Sequence, residues 1–157
     1  MGMNAQVWRR HANPLSVWSR FTILPLFALA VWSRVWIGEG AWLLVIAVLI
    51  WTWANPRIFA ETDRLENWAS RVVLGERVYL QHGTDVARHH HICLRVLMLL
   101  TVPAMLVMAW GLWRLDLVAT LTGTALTMIM KLWSVDRMVW IYFDFLAADP
   151  TRKHGDV

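Results

Sequence analysis

Tryptophan recurs at the ends of the apolar runs, and this placement constrains the fold more than any other feature of the chain. There are twelve tryptophans in 157 residues. Their side chains collect where a transmembrane helix meets the lipid headgroups. Apolar residues make up 58% of the chain, and the charged residues lie mostly between the apolar runs. This pattern is typical of a polytopic membrane protein and not of a soluble domain.

Four apolar segments are candidates to cross a bilayer, and they cover residues 17–37, 40–54, 92–114 and 117–135. The Asn13-Pro14 pair predicts the start of the first helix, because Asn caps free amide groups and Pro is tolerated at the first helical position. Pro25 predicts a mild kink within that helix. The second helix is expected to stop before Pro56. It would then rise only about 21 Å, which is short for a span.

Two tight turns connect these segments in pairs, at Gly38–Gly40 and at Arg114–Asp116. Turns this short allow only an antiparallel return. The last helix is predicted from Asp116 to about Leu146 and should outlast the bilayer. We therefore expect a single all-α integral membrane domain over residues 1–157. It would have four transmembrane helices in two hairpins, joined by a cytoplasmic amphipathic helix.

The amphipathic helix is predicted over residues 64–81, within a charged region that excludes a buried span. Asp63 and Glu66 form a weak capping-box pattern, and Gly83 is expected to end the helix. Its apolar residues share one face while most of its charges lie on the other. This pattern predicts a helix lying in the membrane interface.

The basic residues predict the orientation of the chain. Of the fifteen Lys and Arg residues, only Arg34 and Arg114 lie at the two tight turns. The positive-inside rule therefore places both termini and the central loop in the cytoplasm, as in a multi-pass protein of the inner membrane. Basic residues that flank apolar runs indicate contact with anionic lipid and not with nucleic acid. The expected partners are the lipid bilayer and either a second copy of the chain or another membrane protein.

Histidines cluster just before the third apolar segment. His82, Asp85, His89 and Cys93 follow one another at spacings of three, four and four residues, and these side chains are ligands of the zinc or iron type. A metal site is one interpretation. The interpretation we favour is that the histidines face the headgroups at the start of a span. No cofactor is therefore predicted, and a metal ion remains the alternative.

Glu76 falls in the middle of the apolar face of the 64–81 helix, where an unpaired carboxylate is costly. We predict that it is buried and paired with Arg137, or otherwise with Arg20 or Arg71. A proton-carrying or cation-binding carboxylate is the functional alternative. The wider polar cluster predicted on the same side of the membrane also includes Arg77, Asp136 and Asp144.

The last helix carries a polar stripe, which consists of Thr120, Thr124, Thr127 and Lys131 and continues to Ser134. Ala119, Gly123 and Thr127 form a row of small residues that lets another helix approach closely. We interpret the stripe as helix packing, with hydroxyl groups bonded to their own backbone and Lys131 reaching toward the cytoplasm. A substrate path between the helices is the alternative.

Polar motifs lie at both ends and at the centre of the chain, and they comprise residues 10–14 with 16–20, 55–57, 67–71 through 74–77, and 136–140 with Tyr142 and Asp144. On these motifs the chain resembles a family of small four-span bacterial and archaeal membrane proteins of uncharacterised function. The resemblance implies a membrane fold and brings no known activity, ligand or catalytic residue.

No complete catalytic or cofactor motif is present in the sequence. We therefore expect a non-enzymatic module that acts through helix packing or partner binding. The alternative is a small transporter, or a metal- or cofactor-dependent membrane enzyme, that uses Glu76, His82, His89 and the polar stripe.

Overall fold

The computed structural model describes residues 5–62, 65–149 and 151, and this part of the chain is helical and contains no strand. Its helices are α1 (Ala5–His11), α2 (Pro14–Phe21), α3 (Ile23–Trp32), α4 (Arg34–Ile37), α5 (Ala41–Ile58), α6 (Trp68–Gln81), α7 (Arg88–Arg114) and α8 (Leu117–Ala147). A 3-10 turn, Gly38–Gly40, joins α4 to α5. The predicted all-α class is confirmed for these residues.

Three helical stretches are long and apolar enough to cross a membrane, and they are Pro14–Ile58, Arg88–Arg114 and Leu117–Ala147. Most residues in these stretches are not buried inside the protein. Extensive exposed apolar surface is expected where helices face lipid. The stretches therefore support the predicted membrane protein.

The first predicted helix is broken into three segments, α2, α3 and α4. It begins at Pro14 as predicted, and the Asn13 side chain accepts a hydrogen bond of 2.9 Å from the amide of Leu15. The first break lies at Thr22, whose amide bonds the carbonyl of Ser19 at 3.1 Å. Proline distorts the turn that precedes it, because its ring clashes with the carbonyl four residues earlier. The expected effect of Pro25 therefore appears as an interruption three residues before it.

The predicted end of the second helix is wrong, because α5 continues through Pro56 to Ile58. Pro56 lies in the last turn, so its missing N–H removes a hydrogen bond only near the helix end. The guanidinium group of Arg57 donates to the carbonyl of Trp53 in the same turn. With 18 residues α5 rises about 27 Å, close to the thickness of a hydrocarbon core.

A buried polar contact joins α2 to the end of α5. The Ser16 hydroxyl donates to Oδ1 of Asn55 at 3.2 Å, and Nδ2 of Asn55 donates to the hydroxyl of Ser19 at 2.6 Å. Ser16 and Asn55 are both fully buried. The beginning and the end of the Pro14–Ile58 stretch are therefore in direct contact.

Helices α7 and α8 pack closely against each other across two glycines. A Cβ atom at Gly111 would overlap the backbone near Thr120, and one at Gly123 would overlap the backbone of Met108. Asp116 caps α8, since its side chain accepts from the amide of Ala119 at 3.0 Å. At Gly123, the predicted row of small residues therefore packs against α7 of the same chain.

Helix α7 begins at Arg88, after two of the four predicted metal ligands, His82 and Asp85. The residue before the helix is Ala87, which provides no side-chain hydrogen bond. The region between His82 and Ala87 is a turn and not the first part of the helix. This late start changes which of the histidines share a helical face.

Helix α6 begins at Trp68, later than predicted. Asn67 caps it by accepting a hydrogen bond of 2.9 Å from the amide of Ser70. Glu66 precedes the helix, and the other half of the predicted capping box, Asp63, lies outside the described residues together with Arg64.

The middle of α6 is buried between other helices. Its buried residues are Ala69, Ser70, Val72, Val73, Leu74, Gly75 and Val78. One apolar cluster packs Leu74 and Val78 against Tyr142 of α8, and a second packs Val73 against Trp8 of α1. The helix is therefore a central element of the core and holds its polar side chains in fixed positions.

Candidate functional site

A cavity of about 230 Å³ lies between α2, α6 and α8. It is lined by Val17, Arg20, Phe21, Val72, Glu76, Lys131, Ser134, Val135 and Met138. Pockets for drug-sized molecules are usually larger than this. Its polar side chains come from all three helices, and the remaining walls are apolar. The cavity therefore suits a small polar group that is attached to an apolar one.

Arg20 is held in place by three contacts. Its Nε donates to the carbonyl of Ser16 at 3.0 Å, and its Nη2 donates to the carbonyl of His11 at 3.0 Å. Its Nη1 lies 2.7 Å from Nε2 of His11. His11 is the last residue of α1, so a cation at this position also meets the negative end of the helix dipole. Arg20 therefore connects α1 to α2 while lining the cavity.

The predicted pairing of Glu76 with Arg137, Arg20 or Arg71 is wrong. Within the part of the chain that the structure describes, the group within ion-pairing distance of Glu76 is His11, whose Nε2 lies 3.7 Å from Oε2 of the carboxylate. The Glu76 side chain is also 40% exposed, so it is only partly buried and not fully buried as predicted. The prediction failed because no pattern in the sequence indicates that α1 places an imidazole beside this carboxylate.

The surroundings of Glu76 favour its ionised form. Hydrogen bonding from the His11 side chain lowers the pKa of Glu76 below its usual value, and the charges of His11 and Arg20 act in the same direction. Partial burial of the carboxylate raises its pKa, but this effect is smaller than the combined effect of His11 and Arg20. The carboxylate is therefore negatively charged at neutral pH.

The Nε2 atom of His11 faces two partners of opposite character. It lies 2.7 Å from a guanidinium nitrogen of Arg20 and 3.7 Å from an oxygen of Glu76. A neutral Nε2 accepts a hydrogen bond from Arg20, whereas a protonated Nε2 donates toward Glu76. Since one nitrogen cannot do both, the protonation state of His11 decides which of the two groups it binds.

Lys131 supplies a second cation to the cavity. Its ammonium nitrogen lies 5.5 Å from the centre of the Phe21 ring, within the range of a cation-π interaction. None of the ion pairs among the described residues involves Lys131. The cavity therefore contains Arg20 and Lys131 against the single carboxylate of Glu76, and its net charge is positive.

The rest of the polar stripe serves the helix itself. The hydroxyls of Thr120, Thr124, Thr127 and Ser134 each donate to the carbonyl four residues earlier, at 2.7 to 2.8 Å. This is the behaviour expected of the helix-packing interpretation. Of the stripe, only Lys131 and Ser134 line the cavity.

The other members of the predicted polar cluster point to separate partners. Asp136 accepts a hydrogen bond of 3.0 Å from the indole of Trp68. Arg71 lies over the ring of Phe143 at 5.1 Å, and Arg77 donates to Gln81 at 3.1 Å. The Nε atoms of Arg71 and Arg137 are buried and have no hydrogen-bond partner among the described residues. The structure thus places Arg20 and Glu76, but not the whole predicted cluster, in one site.

The predicted metal ligands His82, Asp85, His89 and Cys93 are not brought together. The His82 ring packs against Phe145 at 5.1 Å, and Asp85 lies in the turn before α7. Among the described residues, the group that could hold a metal ion is His89, His90 and Asp144, which shares only His89 with the prediction. The prediction assumed that all four residues lie on one continuous helix. Because α7 starts at Arg88, His82 and Asp85 are outside that helix.

One family model matches residues 1–156, almost the whole chain. The family is described as one of unknown function, so the match assigns no activity, ligand or catalytic residue. The expectation of an uncharacterised family is thereby confirmed. No curated protein and no solved structure matches the chain. The interpretation of the cavity therefore depends on its own geometry and charge.

Proposed function

The chain belongs to the family of unknown function DUF6653, and from this premise we propose that it is a four-span membrane protein whose cavity binds an anionic lipid headgroup. It acts as a non-enzymatic binding module. The observation that carries this proposal is the pair of cations, Arg20 and Lys131, in a cavity with otherwise largely apolar walls.

Four spans are supported by the length and the internal contacts of the first helical stretch. If its 45 residues formed one straight helix, it would rise about 68 Å, twice the thickness of a hydrocarbon core. The hydrogen bond between Ser16 and Asn55 instead requires the chain to return to its starting level. Two crossings in this stretch, with α7 and α8, make four.

The orientation is supported by the arginines at the two turns. The guanidinium group of Arg34 donates to the carbonyls of Leu112 and Trp113, so the two turns lie side by side. Arg34 and Arg114 are the only basic residues near the two turns, whereas the other Lys and Arg residues lie toward the termini and the central loop. The positive-inside rule then places both termini and α6 on the cytoplasmic side of the inner membrane.

An anionic headgroup fits the cavity on charge, size and position. Lys131 lies 14 residues after the start of α8, about 21 Å along the helix, so its long side chain can extend toward the cytoplasmic edge of a hydrocarbon core about 30 Å thick. A phosphate group at this level would accept a hydrogen bond from Lys131 and would be attracted by the charge of Arg20. Val17, Phe21 and Val135 provide an apolar surface for the glycerol and the upper acyl chain.

The proposal is tested by lipid retention in native mass spectrometry of the full chain in a neutral detergent. The protein is offered phosphatidylglycerol or phosphatidylcholine, in the wild-type form, as Lys131→Gln, and as the control Arg95→Gln, which removes an exposed cation of α7. We expect wild type to retain phosphatidylglycerol preferentially. Lys131→Gln should weaken this retention about tenfold, the effect of losing one charge-assisted hydrogen bond. Arg95→Gln should leave it unchanged.

Two outcomes would contradict the proposal. One is equal retention of the two lipids by wild type, and the other is an equal loss in both variants. A competition with inorganic phosphate separates lipid from a free anion as the ligand. If inorganic phosphate displaces the whole lipid completely, the acyl chain adds nothing to the binding affinity. That result would contradict the role assigned to the apolar walls.

A further inference from the structure

Three side chains that can bind a metal ion converge at the start of α7 and the end of α8. Nε2 of His90 lies 2.8 Å from Oδ2 of Asp144, although the two residues are 54 positions apart. The rings of His89 and His90 lie with their centres 4.1 Å apart. The potential ligand atoms of the three residues all lie within 4.8 Å of one another. This arrangement is separate from the cavity between α2, α6 and α8.

The spacing of these atoms is close to that of a metal site. Zinc binds nitrogen and oxygen ligands at about 2.0 to 2.2 Å, so ligand atoms around a tetrahedral ion are about 3.4 Å apart. The observed separations of 2.8 Å and up to 4.8 Å lie on both sides of this value. Small side-chain rotations therefore suffice to place the three ligands around one ion.

The burial of His90 is a second, independent observation. Its side chain is only 1% exposed, and its Nδ1 has no hydrogen-bond partner among the described residues. A buried polar nitrogen without a partner is costly and needs an explanation. A metal ion bound at Nδ1 itself would supply one, whereas an ion bound at Nε2 would leave Nδ1 without a partner. His89 and Asp144 are exposed, so an ion can enter from the aqueous side.

The donor types select the class of metal. Two imidazole nitrogens and one carboxylate suit zinc and the later first-row transition metals, whereas magnesium and calcium prefer oxygen ligands. His91 is engaged elsewhere, since its ring contacts the Tyr79 hydroxyl at 3.3 Å and the Gly83 carbonyl at 3.0 Å. The amino-terminal end of α7 does not itself attract a cation, so the negative charge of Asp144 must provide the attraction.

We propose that His89, His90 and Asp144 bind one divalent transition-metal ion of the zinc class. With three protein ligands, the ion keeps an open coordination position for water. The ion would join the start of α7 to the end of α8, at the end of the helix pair opposite the Arg114–Asp116 turn. This site does not depend on the lipid-binding proposal.

The test uses the full chain in a neutral detergent, dialysed first against a chelator and then against Zn²⁺, with bound metal measured by elemental analysis. Binding of Co²⁺ is followed in parallel by its visible absorption. The site variants are His89→Ala and Asp144→Asn. The control is His82→Ala, which removes a nearby histidine that is outside the site.

We expect one zinc per chain in wild type and in His82→Ala, with an affinity reduced tenfold or more in both site variants. Wild type should also give the intense visible absorption of tetrahedral Co²⁺, and the site variants should lose it. Circular dichroism checks that each variant is folded; His89 is exposed, so its truncation should be tolerated. Absence of stoichiometric zinc in wild type would overturn the proposal. Zinc binding that survives in both folded site variants would overturn it as well.

Discussion

Arg20 is the residue on which the candidate site depends most. It uses all three of its nitrogens, binds two helices through Ser16 and His11, and still lines the cavity. Its position makes His11 a shared partner of a cation and a carboxylate. The carbonyl contacts therefore hold the Arg20 guanidinium in the cavity, and the His11 imidazole lies between Arg20 and Glu76.

The same contacts predict how the stability of the protein depends on the ionisation of Glu76. Its pKa in the folded protein is below the ordinary value of 4.5, so the ionised carboxylate stabilises the fold. This contribution is fully present above pH 4.5 and is lost as the pH falls through the lowered pKa. Glu76→Gln should therefore lower the free energy of unfolding at pH 7. The loss should be no more than about 1 kcal/mol, because the side chain is 40% exposed.

Thermal unfolding of the protein in detergent, at pH 7 and at pH 3.5, checks this prediction. The control is Glu66→Gln, which neutralises an exposed carboxylate outside the cavity. Wild type should exceed Glu76→Gln in stability at pH 7, and the difference should be smaller at pH 3.5. A difference that is equally large at both pH values would show that the carboxylate acts through packing and not through its charge.

Helix α6 is the element that organises the molecule. It packs its buried face against α8 on one side and against α1 and α2 on the other, and it places Glu76 in the cavity. The closest approach is at Gly75, where an added Cβ would overlap the carbonyl oxygen of Met138. A backbone atom cannot move aside as a flexible side chain can, so only glycine fits there.

Gly75→Ala should therefore destabilise the protein by about 1 to 3 kcal/mol, the usual cost of forcing extra volume into a packed core. It should also weaken lipid retention, because α6 and α8 provide opposite walls of the cavity. The matched control is Gly40→Ala, where a Cβ would meet only the Ile37 side chain at ordinary contact distances. Unfolding in detergent measures both. Equal stabilities of the two variants would contradict the packing assigned to Gly75.

Across the whole molecule, local signals were predictable and distant pairings were not. The cap at Asn13 involves a residue two positions away, so the sequence pattern identifies it. By contrast, α5 continues through Pro56, where the neighbouring Asn55 accepts a hydrogen bond from Ser16, 39 positions earlier in the chain. The partners His11 and Glu76 are likewise distant in sequence, as are His90 and Asp144. No periodicity within one helix specifies such pairs, and both candidate sites are built from them.

The four-span arrangement is the central claim, because the lipid site exists as proposed only if α6 lies at the cytoplasmic edge of the membrane. The most direct measurement labels single cysteines in intact cells with a membrane-impermeant maleimide. Cys93 is the chain's one cysteine, so Cys93→Ala provides the background for Glu39→Cys, Glu66→Cys and Thr151→Cys. We predict that Glu39→Cys is labelled from outside, and that the other two are labelled only after the membrane is permeabilised. Labelling of Glu66→Cys or Thr151→Cys in intact cells, or failure to label Glu39→Cys there, would contradict the claim.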